Sequence, residues 1–289
     1  MIDGITGGMM SAVTGGRRAT WTLPLIAVVL LSGPARGAFE AELKTPAERA
    51  AATHMALGQI EGSLHLPLLD TAGRDLLPGI TIYGFRPFGM DEIGALAGWG
   101  VLPLGGRGQG VCLAYQRFGG ISYSEEILAL RCCLGSREVR FRPGVRAGMV
   151  SFDGRLIGSA LLIDLAIGIR LSRSIKVDLI AENPLGGIGS RNVRGPTCLS
   201  AGLGFLLASR LAWGVEVVKY AGRPTSVATG IEALLAKRVM VRSGFRSDPR
   251  EASMGLGFTA GPISVDITSS LNLMLGLTHE VGITFIRRS

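Results

Sequence analysis

No stretch of this sequence reaches the ~18 uninterrupted apolar residues that a membrane-spanning helix needs, yet its mean hydropathy is high at +0.38. The apolar content is therefore spread over many short segments. Aromatic residues make up 6% of the chain and charged residues 18%, and nowhere do basic and aromatic side chains interleave as a nucleic-acid platform would need. The formal charge of +8 comes mostly from scattered arginines with no basic run, so nucleic acid is not an expected partner. Cysteine is scarce. Cys112, Cys132, Cys133 and Cys198 have neither the spacing of a metal site nor that of a disulfide framework. Neighbours in a strand point to opposite faces, so Cys132 and Cys133 do not bridge readily, and all four are assigned to apolar packing. His54, His65 and His279 are scattered, and none has a partner at ligand spacing. Ser63, His65 and Asp70 lack the strand-turn-helix that exposes a catalytic serine. Gly186-Gly187-Ile188-Gly189 lacks the Lys-Ser/Thr of a phosphate loop, and Gly105 to Gly110 fails the dinucleotide spacing. The expectation is a protein that is not an enzyme and uses no metal or cofactor.

Glycine is abundant, with 43 residues, which disfavours helices and favours turns and close strand contacts. Residues 1–37 have the features of an export signal. Arg17 and Arg18 supply positive charge, Leu23 to Leu31 form an apolar core broken by Pro24, and Ala35-Arg36-Gly37 offers a small-residue cleavage site. The core is too short to span a membrane as a helix. The surroundings of the arginine pair fit a twin-arginine signal poorly, and no cysteine follows for a lipid anchor.

Residues 38–90 read as an N-terminal helix and an irregular plug or extension. Thr45 can cap a helix with Pro46 at its first position and Glu48 completing a capping box; the helix is expected to run to about Gln59. From there to Met90 the pattern is broken by Pro67, Pro78 and Pro87.

From Asp91 the apolar period becomes two, and residues 91–289 read as one β-domain. Leu161, Ile163, Leu165, Ile167 and Ile169 oppose Asp164, Ala166, Gly168 and Arg170. The same alternation returns in Ile175/Val177/Leu179, Leu199/Ala201/Leu203/Phe205, Trp213/Val215/Val217, Ile231/Ala233/Leu235, Leu256/Phe258, Ile263/Val265/Ile267 and Val281/Ile283/Phe285. Ala95, Ala97, Trp99 and Val101 alternate with Leu96, Gly98 and Gly100. Turn signals part these runs at Gly105-Gly106, Phe118-Gly119-Gly120, Arg142-Pro143-Gly144, Asp153-Gly154, Gly222-Arg223-Pro224, Ser247-Asp248-Pro249 and Gly261-Pro262. About a dozen strands can be counted, with no crossover helix between them, so neighbours should pair antiparallel.

A secreted β-sandwich also alternates. The second face here, however, is rich in Gly, Ala, Ser and Thr, too small to fill the interior of a large barrel if the apolar face pointed inward. Pointing outward, the apolar face meets lipid, and closure pairs every backbone group. The fold expected is all-β, an antiparallel transmembrane barrel of about 12–14 strands in the outer membrane. Asp164, Arg170, Asp178, Glu216, Glu232 and Asp266 would then face the lumen, solvated or paired with one another rather than marking a substrate path.

Several short patterns, in order along the chain, resemble the PorV/PorQ-type outer-membrane proteins, which are related in fold to FadL-like barrels. They are Tyr115-Gln116-Arg117-Phe118-Gly119 with Tyr123 and Glu125, Asp164 to Asn183 with Pro184, Gly255-Leu256-Gly257-Phe258 with Ile263-Ser264-Val265-Asp266, and the closing Leu275 to Phe285. The resemblance covers Arg86 to Phe285. Where the family shows Asn-Pro-Ala-Gly-Leu, this chain has Arg86-Pro87-Phe88-Gly89-Met90. Glu280, Gly282 and Phe285 resemble a barrel-assembly signal, with Arg287 where an apolar residue is usual, and imply the barrel-assembly machinery as a partner. The resemblance implies a 14-stranded barrel with one of two jobs. PorV-like members hold or shuttle secreted cargo at the cell surface beside the type IX secretion machinery, and FadL-like relatives take up hydrophobic small molecules passively.

Overall fold

The computed structural model describes residues 78–90, 93–104, 109–136, 138–189 and 195–286. The export signal, the helix from Thr45 to Gln59, and His54, Ser63, His65 and Asp70 lie outside the described residues, as do the Gly105-Gly106 turn and Arg287.

The strands are β1 (Gly79–Arg86), β2 (Gly94–Pro103), β3 (Gly110–Gly119), β4 (Tyr123–Gly135), β5 (Val139–Phe152), β6 (Arg155–Arg170), β7 (Ile175–Glu182), β8 (Ile188–Gly189), β9 (Cys198–Ala208), β10 (Leu211–Tyr220), β11 (Thr225–Ala236), β12 (Val239–Ser247), β13 (Arg250–Ala260), β14 (Ile263–Asn272) and β15 (Gly276–Ile286). Each long strand pairs antiparallel with its neighbours, and β1 pairs with β15. The two-residue β8 only flanks β6, which leaves fourteen strands in a closed ring. Closure rules out a two-layer sandwich, and it removes the unpaired edges that neither water nor lipid tolerates well.

The direction of the side chains settles what surrounds the ring. Leu113, Leu128, Leu165, Val217, Leu256, Ile267, Val281 and Phe285 all point outward and are exposed. Soluble monomers rarely expose apolar patches beyond a few hundred Å², and here the apolar positions recur on strand after strand. The outer face is lipid-facing and the protein is a transmembrane β-barrel. Among the described residues no helix is long and apolar enough to cross a membrane; the strands do the crossing.

The turns follow local chemistry. Asp153 and Gly154 join β5 to β6 with φ of 46° and 73°, the pair of positive angles that a two-residue hairpin takes and that an Asp-Gly sequence accommodates. Both ends of the chain described here lie on the side of the short turns after β4, β6, β9, β11 and β13.

Three expectations are corrected. The barrel begins at Gly79, inside the segment assigned to the irregular extension. In β1 the outward Ile80 and Ile82 alternate with the buried Tyr83 and Phe85, so both faces are apolar and the period is masked in the sequence. Likewise Ala97, Trp99 and Val101 face inward while Leu96 and Leu102 face lipid, so the apolar set read from the sequence of β2 is its inner face and not its outer one. Finally, Arg142-Pro143-Gly144 is no turn: it lies inside β5, whose register with β6 continues through Pro143 opposite Leu165. On the β4 side the paired positions run from Arg131–Gly144 to Leu134–Phe141 and skip Cys132 and Cys133. Proline has no N–H to give a ladder, and the strand passes through because the interruption falls on one side only.

Candidate functional site

The inner surface has four sectors, set by which strands carry large, small or charged side chains. On β1 and β2 Tyr83, Phe85 and Trp99 form an aromatic group. Tyr83 meets Trp99 edge-on at 5.4 Å and stacks on Phe85 at 6.2 Å between ring centres, and the Tyr83 hydroxyl donates to Gln116 Oε1 at 3.4 Å. Seven strands round a fourteen-strand ring is the opposite wall, so this group faces β9 and β10. There the inward positions include Ser200, Gly202, Gly204, Ala212 and Gly214, which fill little of the interior, together with Cys198, Glu216 and Val218.

The other two sectors are ionic. On β4 to β7 two arginines share one aspartate. Arg146 Nη2 donates to Asp164 Oδ1 at 2.7 Å and Arg131 Nη2 to Asp164 Oδ2 at 3.2 Å, with Glu182 at 3.8 and 4.0 Å from the two guanidinium groups. Along the same wall Arg142 Nη2 donates to Asp178 Oδ1 at 2.7 Å. On the facing wall Arg242 joins three strands. Its Nε donates to Glu232 Oε2 on β11 and its Nη1 to Asp266 Oδ1 on β14, each at 2.8 Å. The second bond crosses β13 because position 257 is glycine: a Cβ there would lie 2.6 Å from Asp266 Oδ1 and 3.0 Å from Arg242 Nη1. Charge pairs this far from water persist only when each partner is hydrogen-bonded.

Of the expected lumen-facing residues, Asp164, Asp178, Glu216, Glu232 and Asp266 are inward and buried; Arg170 shares their face but is half-buried at the end of β6. Asp164, Asp178, Glu232 and Asp266 are ion-paired. Their partners Arg131, Arg142, Arg146 and Arg242, and Glu182 beside Arg131 and Arg146, were not singled out by sequence reasoning. Parity would have found Arg146 and Arg242; Arg142 was hidden by the proline beside it. Glu280 and Gly282 face inward and Phe285 outward on β15. His279 also faces out, its Nδ1 at 2.9 Å from Ser269 Oγ. Among the described residues no group of His, Cys, Asp and Glu could hold a metal ion, and the four cysteines are unbridged.

A loop covers part of this interior. Asn183, with φ of 48°, turns the chain out of β7. Its Nδ2 donates to the Gly195 carbonyl at 2.8 Å, and Thr197 Oγ1 donates to the Asn183 carbonyl at 3.0 Å. Gly187 and Gly195 press against the inward Leu162, where any Cβ would come within 2.9 and 2.7 Å of its methyl groups.

No family model and no curated protein matches this sequence. Solved structures do match. The CymD monoaromatic hydrocarbon channel is similar at a TM-score of 0.56 and 10% identity, over 85% of this chain and 98% of that one. The fold is that of a porin-like outer-membrane barrel. Looser likenesses are to the outer membrane protein Omp33 of Acinetobacter baumannii (TM-score 0.49, 11% identity, 74% of this chain and 100% of that one) and to a KdgM porin (0.45, 8%, 73% and 99%). None of the three is named as a PorV/PorQ-type protein.

Proposed function

We propose that this protein is a passive outer-membrane channel for small, largely apolar molecules. The observation that carries this reading is the transverse arrangement of the interior. Tyr83, Phe85 and Trp99 project from one wall toward a wall where Ser200, Gly202, Gly204, Ala212 and Gly214 leave room beside Glu216, a strip with few charges between two sectors of paired charge. Pockets for small molecules are commonly apolar with a few placed polar groups, and Gln116 and Tyr83 supply such groups here. The fold likeness to a monoaromatic hydrocarbon channel supports the same class of solute. In this reading an export signal at 1–37 delivers the chain, and the barrel-assembly machinery inserts it with Glu280, Gly282 and Phe285 as part of the signal.

The test is uptake through a membrane that hydrocarbons cross slowly. The chain is expressed in a Gram-negative host, insertion is checked by heat-modifiable gel mobility, and entry of a radiolabelled monoaromatic hydrocarbon is timed. Faster entry than in the empty host, lost on Trp99→Asp, is expected. Correctly inserted protein with no gain in entry refutes the reading. The PorV-like role, holding or shuttling secreted cargo, rests on the sequence resemblance alone. It would be favoured by recovery of secreted proteins with a common C-terminal domain in a pull-down from the native membrane.

A further inference from the structure

The short-turn end of the barrel carries an arc of positive charge. Going round the rim, three successive hairpins connect β6 to β7, β9 to β10, and β11 to β12. Their turns hold Arg173, Arg210, and Lys237 with Arg238, all exposed. None of these four side chains has an ion-pair partner among the described residues. The turns at the other end instead hold Asp153, Asp248 and Arg223.

Two features beside the arc point to what it meets. Each cationic turn is flanked by an exposed leucine, Leu171, Leu207 or Leu235, at the margin of the lipid-facing band. Two residues into β10 from the Ser209-Arg210 turn, Trp213 lies on the outer face with its ring stacked on Phe205 at 5.2 Å. Tryptophan beside cations at the edge of an apolar band is the composition of a membrane–water interface. Acyl chains would meet the leucines and the stacked rings, and negative phosphates would meet the arginines and Lys237.

We propose that Arg173, Arg210, Lys237 and Arg238 form a binding surface for the headgroups of anionic phospholipids, which fixes the short-turn end of the barrel in a leaflet rich in them. The proposal needs the transmembrane barrel but is independent of what the channel passes. A basic side chain near a charged leaflet contributes about a fivefold preference, and salt weakens it.

Trp213 is the reporter. A full-length chain with Trp21→Phe and Trp99→Phe is reconstituted into bilayers mixing plain phosphatidylcholine with brominated phosphatidylcholine or brominated phosphatidylglycerol, and quenching of Trp213 fluorescence gives the relative affinity of its lipid neighbours. A preference for phosphatidylglycerol of about fivefold or more, shrinking as NaCl is raised, is expected. Arg173→Ser/Arg210→Ser/Lys237→Ser/Arg238→Ser should abolish the preference, while the three Arg→Lys changes together should retain it. Equal quenching by the two lipids in the unsubstituted arc overturns the proposal. So does a preference indifferent to salt or undiminished in the serine variant. The salt series needs no change to the arc, so it decides the question even where the serine variant fails to insert.

Discussion

Arg242→Met is the sharpest probe of how this barrel holds together. The guanidinium ties β11, β12 and β14, and its side chain is 1% exposed, with Glu232 at 0% and Asp266 at 5%. Methionine keeps most of the volume and removes the charge and both 2.8 Å hydrogen bonds. Breaking a buried ion pair by removing one partner costs about 3–5 kcal/mol, because the remaining charge stays out of water. Charge-assisted bonds taken singly, at about 1.5–3 kcal/mol each, lead to the same range. With a urea dependence of about 2 kcal/mol per molar, the unfolding midpoint in detergent micelles should fall by about 2 M. The assay is the urea dependence of tryptophan fluorescence, with heat-modifiable mobility scored on the same samples. The control is Arg242→Met with Glu232→Gln and Asp266→Asn, which removes the stranded charges together and should regain at least half of the loss. A loss below about 1 kcal/mol for Arg242→Met, or a triple variant no more stable than the single one, would show that the triad is not the tie between these strands.

Three further outcomes follow from the same structure. Gly257→Ala places a Cβ 2.6 Å from Asp266 Oδ1, so it should cost about 1–3 kcal/mol as an overpacking change, read in the same urea assay, with little added loss when Arg242 is already methionine. Leu256→Arg, on the outer face at 58% exposure, should cost about 2–4 kcal/mol near the middle of a bilayer; a change within about 0.5 kcal/mol, normal for a water-exposed leucine, would contradict a lipid-facing strand. Asn183→Ala removes the bond to Gly195 and leaves alanine at φ of 48°. It should lower stability by about 1–3 kcal/mol and admit proteolytic cleavage between Asn183 and Thr197 in intact barrels, seen as two fragments on a denaturing gel.

The β-class of the fold is legible in most strands after β2, because a strand buried on one side and in lipid on the other must alternate with period two. That is why the alternation of Leu161 to Ile169 and of Val281 to Phe285 marks two strands in the sequence alone. Where both faces are apolar the signal vanishes: Ile80 and Ile82 against Tyr83 and Phe85 hid β1, and in β2 the apolar set with Trp99 is the inner face. Proline carries a local message that pairing can override, as Pro143 shows inside β5.

The candidate site was legible by half. Parity alone put Asp164, Asp178, Glu216, Glu232 and Asp266 on the inner face, since alternation is a property of a single strand. Which arginine each acidic group meets depends on the register between strands and on closure of the ring. Arg242 reaches Asp266 across β13 only because Gly257 leaves room, and Arg146 and Arg131 converge on Asp164 from two strands of the same wall. The placing of an aromatic wall seven strands from the wall that carries Gly202, Gly204, Gly214 and Glu216, and of four cations on three neighbouring turns, likewise belongs to the closed ring. The sequence by itself determined the alternation, the inward acids and the turns rich in glycine. Only the tertiary structure decided which residues became neighbours, because in a barrel contacts are made between strands far apart in the chain.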